Sequence, residues 1–134
     1  MNLIVCLDDH RGMLFHNRRQ SSDKNVCQKI RELCQEKKLW MNAYSGYLFA
    51  DQAFNIHIDE DFLLRAGEDD YCFVENKDTK PYLCRAKSVT VFCWNRHYPA
   101  DLYFPELKPE FALISREEFS GNSHEKITME VFSR

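Results

Sequence analysis

The stretch FALISREEFSGNSHEKITMEVFSR, residues 111–134, holds two strand-like runs separated by a turn. Phe111 to Ile114 and Ile127 to Phe132 are rich in apolar and β-branched residues, and Gly121-Asn122 lies between them. That pattern predicts an antiparallel hairpin. Upstream, Val89 to Trp94 reads as a further β-branched and aromatic strand. At the other end of the sequence, residues 2–7 form a continuous apolar run, Leu3-Ile4-Val5-Cys6-Leu7, without alternation. Such a run predicts a strand covered on both faces, hence one in the middle of a sheet.

Helical signals fall between these strands. Ser21-Ser22-Asp23 offers short oxygen-bearing side chains to the orphan N–H groups of a first turn. Val26, Cys27, Ile30, Leu33 and Cys34 follow as an apolar stripe, and Lys37-Lys38 suits the end of the helix dipole. Leu39-Trp40-Met41 predicts a short strand, Tyr44 to Phe54 a second helix, and Phe54 to Ile58 a third strand by alternation. Phe62 to Val74 fits either class, with a turn or helix start at Ala66-Gly67, and Asn76 to Lys80 reads as a polar loop. Strands separated by helices and closed by a hairpin predict a single domain over 1–134, an α/β three-layer sandwich with a mixed sheet.

The 134 residues carry 18 Lys and Arg against 21 Asp and Glu, a net charge of −3 that disfavours a nucleic-acid partner for the molecule as a whole. The apolar run at residues 3–7 is too short for a membrane span or a signal-peptide core. Six cysteines form no CxxC pair and lie mostly in apolar segments, which predicts reduced thiols in a cytoplasmic protein. His10, His16, His57, His97 and His124 are scattered, so the HxHxDH cluster that a ribonuclease Z needs is absent and no metal site is expected. Four glycines in all leave no P-loop or GxGxxG fingerprint.

Residues 8–23, DDHRGMLFHNRRQSSD, read as a polar loop after the first strand. Arg18 and Arg19 offer planar forks suited to a carboxylate or phosphate, and Asn17, Gln20 and Ser21 add neutral donors and acceptors. The alternative is that the arginines tie the loop to Asp8, Asp9 or other acids. Trp94 in WNRHY suits either stacking on a planar ligand or a place in the core. His124 in NSHEKIT reads either as a site residue or, the preferred expectation for a hairpin turn, as a solvated loop residue. Asp23 reads as an N-cap or first-turn carboxylate.

Several phrases together resemble dihydrofolate reductase in a divergent, shortened bacterial form. LIVCLDD, Gly12 and Asp23 are similar to the family's LIVAVD strand, glycine loop and helix acid; LWMNAYSGYLF resembles VIMGRxTxxSI; AGEDDY (66–71) has the spacing of GGxxxY. ADLYFPEL (100–107), FALISREEF and NSHEKITMEVFSR resemble the family's ending. The resemblance implies a dihydrofolate reductase-like sheet, with a strand–helix unit missing around residues 58–66. It implies Asp23 as the candidate proton donor, Ser45 and Gly67 as the remaining cofactor-binding positions, and Arg18, Arg19, Gln20 and Trp94 around the ligand cleft.

The departures from that pattern concern function. Arg19-Gln20-Ser21 stands where the family has LPW, with its pterin-side tryptophan. Ala43 replaces the arginine that meets the nucleotide phosphates. Glu68-Asp69-Asp70 follow the turn glycine, where each would oppose an anionic cofactor by on the order of 1–3 kcal/mol. The resulting expectation is a small-ligand-binding or accessory protein without the standard folate and NADPH sites, taking a small anionic or polar ligand. An NAD(P)H-dependent reductase of a pteridine or other heterocycle is the alternative, a protein-interaction module the second, and a homo-oligomer is compatible with each.

Overall fold

A computed structural model describes residues 1–50 and 55–134. The elements in chain order are β1 (Asn2–Leu7), β2 (Gly12–Phe15), β3 (Arg18–Arg19), α1 (Lys24–Cys34), β4 (Leu39–Met41) and α2 (Ala43–Gly46). A 3-10 turn at Tyr47–Phe49 follows, then β5 (Ile56–Ile58), α3 (Phe62–Arg65), β6 (Tyr71–Phe73) and a second 3-10 stretch at Lys80–Arg85. The chain finishes with β7 (Ser88–Cys93), β8 (Leu102–Tyr103), β9 (Ala112–Phe119) and β10 (Ile127–Ser133).

Seven strands form one mixed sheet in the order β5-β4-β6-β1-β7-β10-β9. The first five run parallel, and β10 and β9 return antiparallel as the expected hairpin. β1 sits in the middle, paired with β6 and β7. Its alternate side chains feed two cores: Leu3, Val5 and Leu7 face one layer, and Ile4 faces the other. On the Ile4 side, α1 lays Val26, Cys27, Ile30 and Cys34 over Phe73 and Phe92. The opposite side is closed by Phe62 and Leu63 of α3, by Met13 and Leu14 of β2, and by Phe104 and Phe111. Both faces of a parallel sheet must be covered, and three layers are the result.

The structure corrects the opening loop. Within residues 8–23, β2 and β3 pair across His16 and Asn17, whose φ of 50° and 60° make a two-residue hairpin turn. β8 adds to β2, giving a second, three-stranded sheet in the order β3-β2-β8. Gly12 permits this crossing, because a Cβ there would lie 2.6 Å from Ala100 Cβ.

The second helix is also shorter than expected: α2 is one turn and passes into 3-10 geometry, while residues 51–54 of that expectation lie outside the described residues. The ambiguous 62–74 segment divides into the one-turn α3 and strand β6. Around residues 58–66, α3 is the sole regular element between edge strand β5 and β6. At the other edge β9 extends through Ser115-Arg116-Glu117-Glu118, because ladder pairing needs only backbone groups and charge protects an exposed edge.

Phe92 is fully buried on β7 and meets Phe119 edge-on at 6.3 Å between centroids. Phe92→Ala should cost about 3–5 kcal/mol through lost burial and a cavity. Urea denaturation at unchanged m-value is the measurement that checks it.

Candidate functional site

The C-terminal ends of β1, β4, β6 and β7 open onto one edge of the sheet, the edge where open α/β folds bind ligands. Four polar segments converge there: residues 16–23, 42–45, 75–76 and 94–98. The loop joining β9 to β10 comes in from the side.

Asp23 is the hub. It caps α1, with Oδ1 accepting from the Asn25 N–H at 2.8 Å. The same carboxylate accepts from the backbone N–H groups of Asn122 (2.9 Å) and Ser123 (2.8 Å), from Ser123 Oγ (3.2 Å) and from His124 Nδ1 (2.9 Å). Burial alone would push its pKa up. The N–H of Asn122, the His124 ring and the N–H groups of Ser123 and Asn25 outweigh that and hold the carboxyl well below the usual carboxylate range. Gly121 makes the approach possible, since a Cβ there would come within 2.6 Å of Asp23 Oδ2.

His124 is the main correction to the sequence reading. It is not a solvated loop residue; its side chain is 3% exposed and that of Asp23 is 0% exposed. The ring stacks on Trp94, centroids 4.6 Å apart at 22°. With Nδ1 turned to Asp23, the Nε2 side of the ring faces Ser21 and Tyr98. Ser21 Oγ lies 2.9 Å from Nε2 and Tyr98 OH 3.4 Å from it. Trp94, 3% exposed, is therefore a core residue supporting the imidazole and has no free face for a ligand.

A second buried cluster lies beside the first. Arg19 makes a two-point contact with Glu75, Nε to Oε2 at 2.8 Å and an NH2 donor to Oε1 at 3.0 Å. Ser45, itself buried, donates its hydroxyl to Glu75 Oε1 at 2.8 Å. The Arg19 guanidinium lies over the Tyr44 ring at 4.4 Å. Asn42 caps α2 through the Ser45 N–H and donates to Asn76. The tie from Arg19 thus runs to Glu75, and not to Asp8 or Asp9. Gln20 reaches Asp8 at 3.2 Å, and the Asp8 carboxylate also accepts from the N–H groups of Gly12, His10 and Tyr98.

These side chains fill the part of the edge around Asp23 and Glu75, while a cavity of about 400 Å³ stays open beside it over Leu7, Asp8, Cys93, Phe104 and Glu130. The cavity enclosed by Cys6, Ser21, Asp23, Ile30, Phe73 and Trp94 measures about 10 Å³, room for about one water. A separate open cleft of about 380 Å³ lies outside it, between the start of α1, Tyr47-Leu48 and Asn122-Ser123. A shallow depression of about 470 Å³ runs over Phe15, His16, Arg18, Gln20 and Tyr98. Burial holds Cys27 near a pKa of about 11, and Cys93 near about 12, so neither is a ready nucleophile at neutral pH. Among the described residues, no group of three His, Cys, Asp or Glu side chains is arranged to hold a metal.

The positions expected to share a nucleotide site do not meet. Ser45 follows the C-terminal end of β4, whereas Gly67 precedes β6 and so lies at the opposite edge of the sheet. The Gly67 N–H binds Asp70 Oδ2 at 2.8 Å, and Asp69 pairs with Lys87 at 2.9 Å. The acidic run 68–70 is therefore remote from the edge that carries Asp23, and the carboxylate beside Ser45 is Glu75. Arg18 stays exposed and has no ion pair among the described residues. Glu75 was missed as a site residue, and the less favoured of the two readings of His124 is the one that places it in a site; the trace of Glu75 is a carboxylate directly after the apolar YCFV run, where strand gives way to loop.

No family model matches the sequence, and no curated protein matches it. Among solved structures, a dihydrofolate reductase from Enterococcus faecalis, complexed with NADP(H) and RAB-propyl, aligns with a TM-score of 0.69 at 9% identity. The alignment covers 99% of this chain and 95% of that one. The fold is dihydrofolate reductase-like, and at this identity the likeness extends to the fold alone.

Asp23→Asn removes the charge that five donors converge on and should destabilise the protein by about 2–4 kcal/mol. Because the folded-state pKa is depressed, this contribution is complete above the ordinary value of 3.8 and is lost as pH falls below it. Urea midpoints should therefore hold level down to that value and then drop in the wild type, with a shallower drop in Asp23→Asn.

Proposed function

We propose that this chain is a small-ligand-binding or accessory protein on a dihydrofolate reductase-like scaffold, one that does not use the pterin and NADPH sites of that family. The observation carrying this reading is the filled space around Asp23: about 10 Å³ remains beneath Ser21 and Asp23, far below the roughly 300 Å³ that a bound heterocycle needs. The Enterococcus faecalis enzyme is complexed with NADP(H); here the hydroxyl of Ser45 is taken by Glu75, and Glu75 in turn holds Arg19, so neither the hydroxyl nor the guanidinium is free for a phosphate. Asp23 is saturated with donors from its own chain, which argues against a proton-donor role toward a heterocycle.

We assign the ligand to the depression over Phe15, His16, Arg18, Gln20 and Tyr98. Arg18, exposed and without an ion pair among the described residues, gives it a donor fork for a small anion. Arg19, committed to Glu75, holds the floor beneath it. Six free thiols support a reducing, cytoplasmic setting. No described helix is long and apolar enough to cross a membrane.

Titration with NADPH and with NADH, followed by nicotinamide fluorescence, should be flat; saturable binding of either would overturn the reading in favour of a reductase. Citrate or inorganic pyrophosphate at ten times its dissociation constant should stabilise the protein by about 1.4 kcal/mol, a rise in Tm of roughly 2–6 °C. Arg18→Ala should fold normally and lose that rise. An equal rise in wild type and variant would remove Arg18 from the site.

A further inference from the structure

We propose that Ser21, His124 and Asp23 form a nucleophilic site that cleaves small carboxylic esters entering by the cleft at the start of α1. The three side chains are separated by up to 103 residues in sequence yet stand in the order that activates a serine hydroxyl. Asp23 Oδ2 accepts from His124 Nδ1 at 2.9 Å, and His124 Nε2 receives the Ser21 hydroxyl at 2.9 Å. A carboxylate on Nδ1–H holds one tautomer and leaves the basic nitrogen facing the hydroxyl, which is the requirement for general-base activation of serine. Trp94 stacked on the ring fixes its plane.

A purely structural tie does not call for this histidine. Asp23 already accepts from Asn25, Asn122 and both donor groups of Ser123, and those bonds alone join α1 to the β9–β10 loop. The imidazole adds the link that continues to Ser21. Ser21 is half-buried and lines the 10 Å³ cavity rather than the open 380 Å³ cleft; the two share Ser22, Asp23, Cys27 and Leu48, so an ester seated in the cleft meets Ser21 across that shared wall. Leu48, Cys27 and Tyr47 give that cleft an apolar wall for a short acyl group, and Lys24 stands at its rim.

In the reaction, the Ser21 proton passes to His124 Nε2 as Oγ bonds to the ester carbonyl carbon. The tetrahedral adduct collapses with cleavage of the bond to the alcohol oxygen, which takes the proton from Nε2 and leaves. Water then attacks the acyl-serine, giving one proton to Nε2, and the adduct releases the carboxylic acid as Ser21 recovers its proton. Asp23 remains ionised throughout and stabilises the imidazolium.

The test uses the full chain with a fluorophosphonate probe and with 4-nitrophenyl acetate. Peptide mass spectrometry should find the phosphonyl adduct on Ser21, and nitrophenolate should appear in a burst equal to the protein concentration. Ser21→Ala should abolish both without changing Tm, and His124→Gln should slow acylation by roughly 10³-fold. Should His124→Gln fail to fold, Ser21→Ala decides alone, because Ser21 is not part of the Asp23 tie. An unlabelled wild-type Ser21, or hydrolysis that survives in Ser21→Ala, would overturn the proposal. Neither result bears on Arg18, so this site and the anion surface stand or fall separately.

Discussion

The buried carboxylate of Asp23 is the point where the first helix and the C-terminal hairpin meet. α1 needs an acceptor for its first-turn N–H groups, and the loop at 121–124 turns its own N–H groups toward the same place. One ionised side chain answers both, and charge-assisted bonds of this kind are about twice as strong as neutral ones. Gly121 has to be a glycine because the backbone passes against the carboxylate. His124 is drawn under the loop by the same contact and comes to rest on Trp94. The entrance to the sheet edge is shaped by these consequences of a single buried charge.

Beside it, the Arg19–Glu75 pair explains why this part of the edge is closed. A buried ion pair adds little net stability once desolvation is counted, but removing one partner leaves an uncompensated charge. The pair therefore specifies an arrangement: β3 is held down on the end of β6, with Ser45 and Tyr44 completing the hydrogen bonding. Open space remains at the Arg18 surface, at the cleft beside Tyr47, which is 82% exposed, and in a cavity of about 400 Å³ over Leu7, Asp8, Cys93, Phe104 and Glu130.

Local patterns were enough for the elements that form the sheet. Residues 2–7 and 39–41 are strands as their apolar content requires, and α1 starts after Asp23 because of the cap. The β2–β3 hairpin was hidden, since His16-Asn17 lacks a glycine and its positive φ values are held by pairing rather than by residue type. Gly67 was misplaced because a spacing match cannot tell the turn that enters a strand from the one that leaves it.

The sequence by itself determined the α/β order, the central first strand and the closing hairpin, because hydrophobic period and turn chemistry act over a few residues. Only the tertiary structure decided the site. Arg19 and Glu75 are 56 residues apart, and His124 and Ser21 are 103 apart. Whether a polar side chain is buried and paired depends on donors delivered by distant strand ends. NSHEK therefore reads as a solvated turn until the fold brings Asp23 and Trp94 to its histidine.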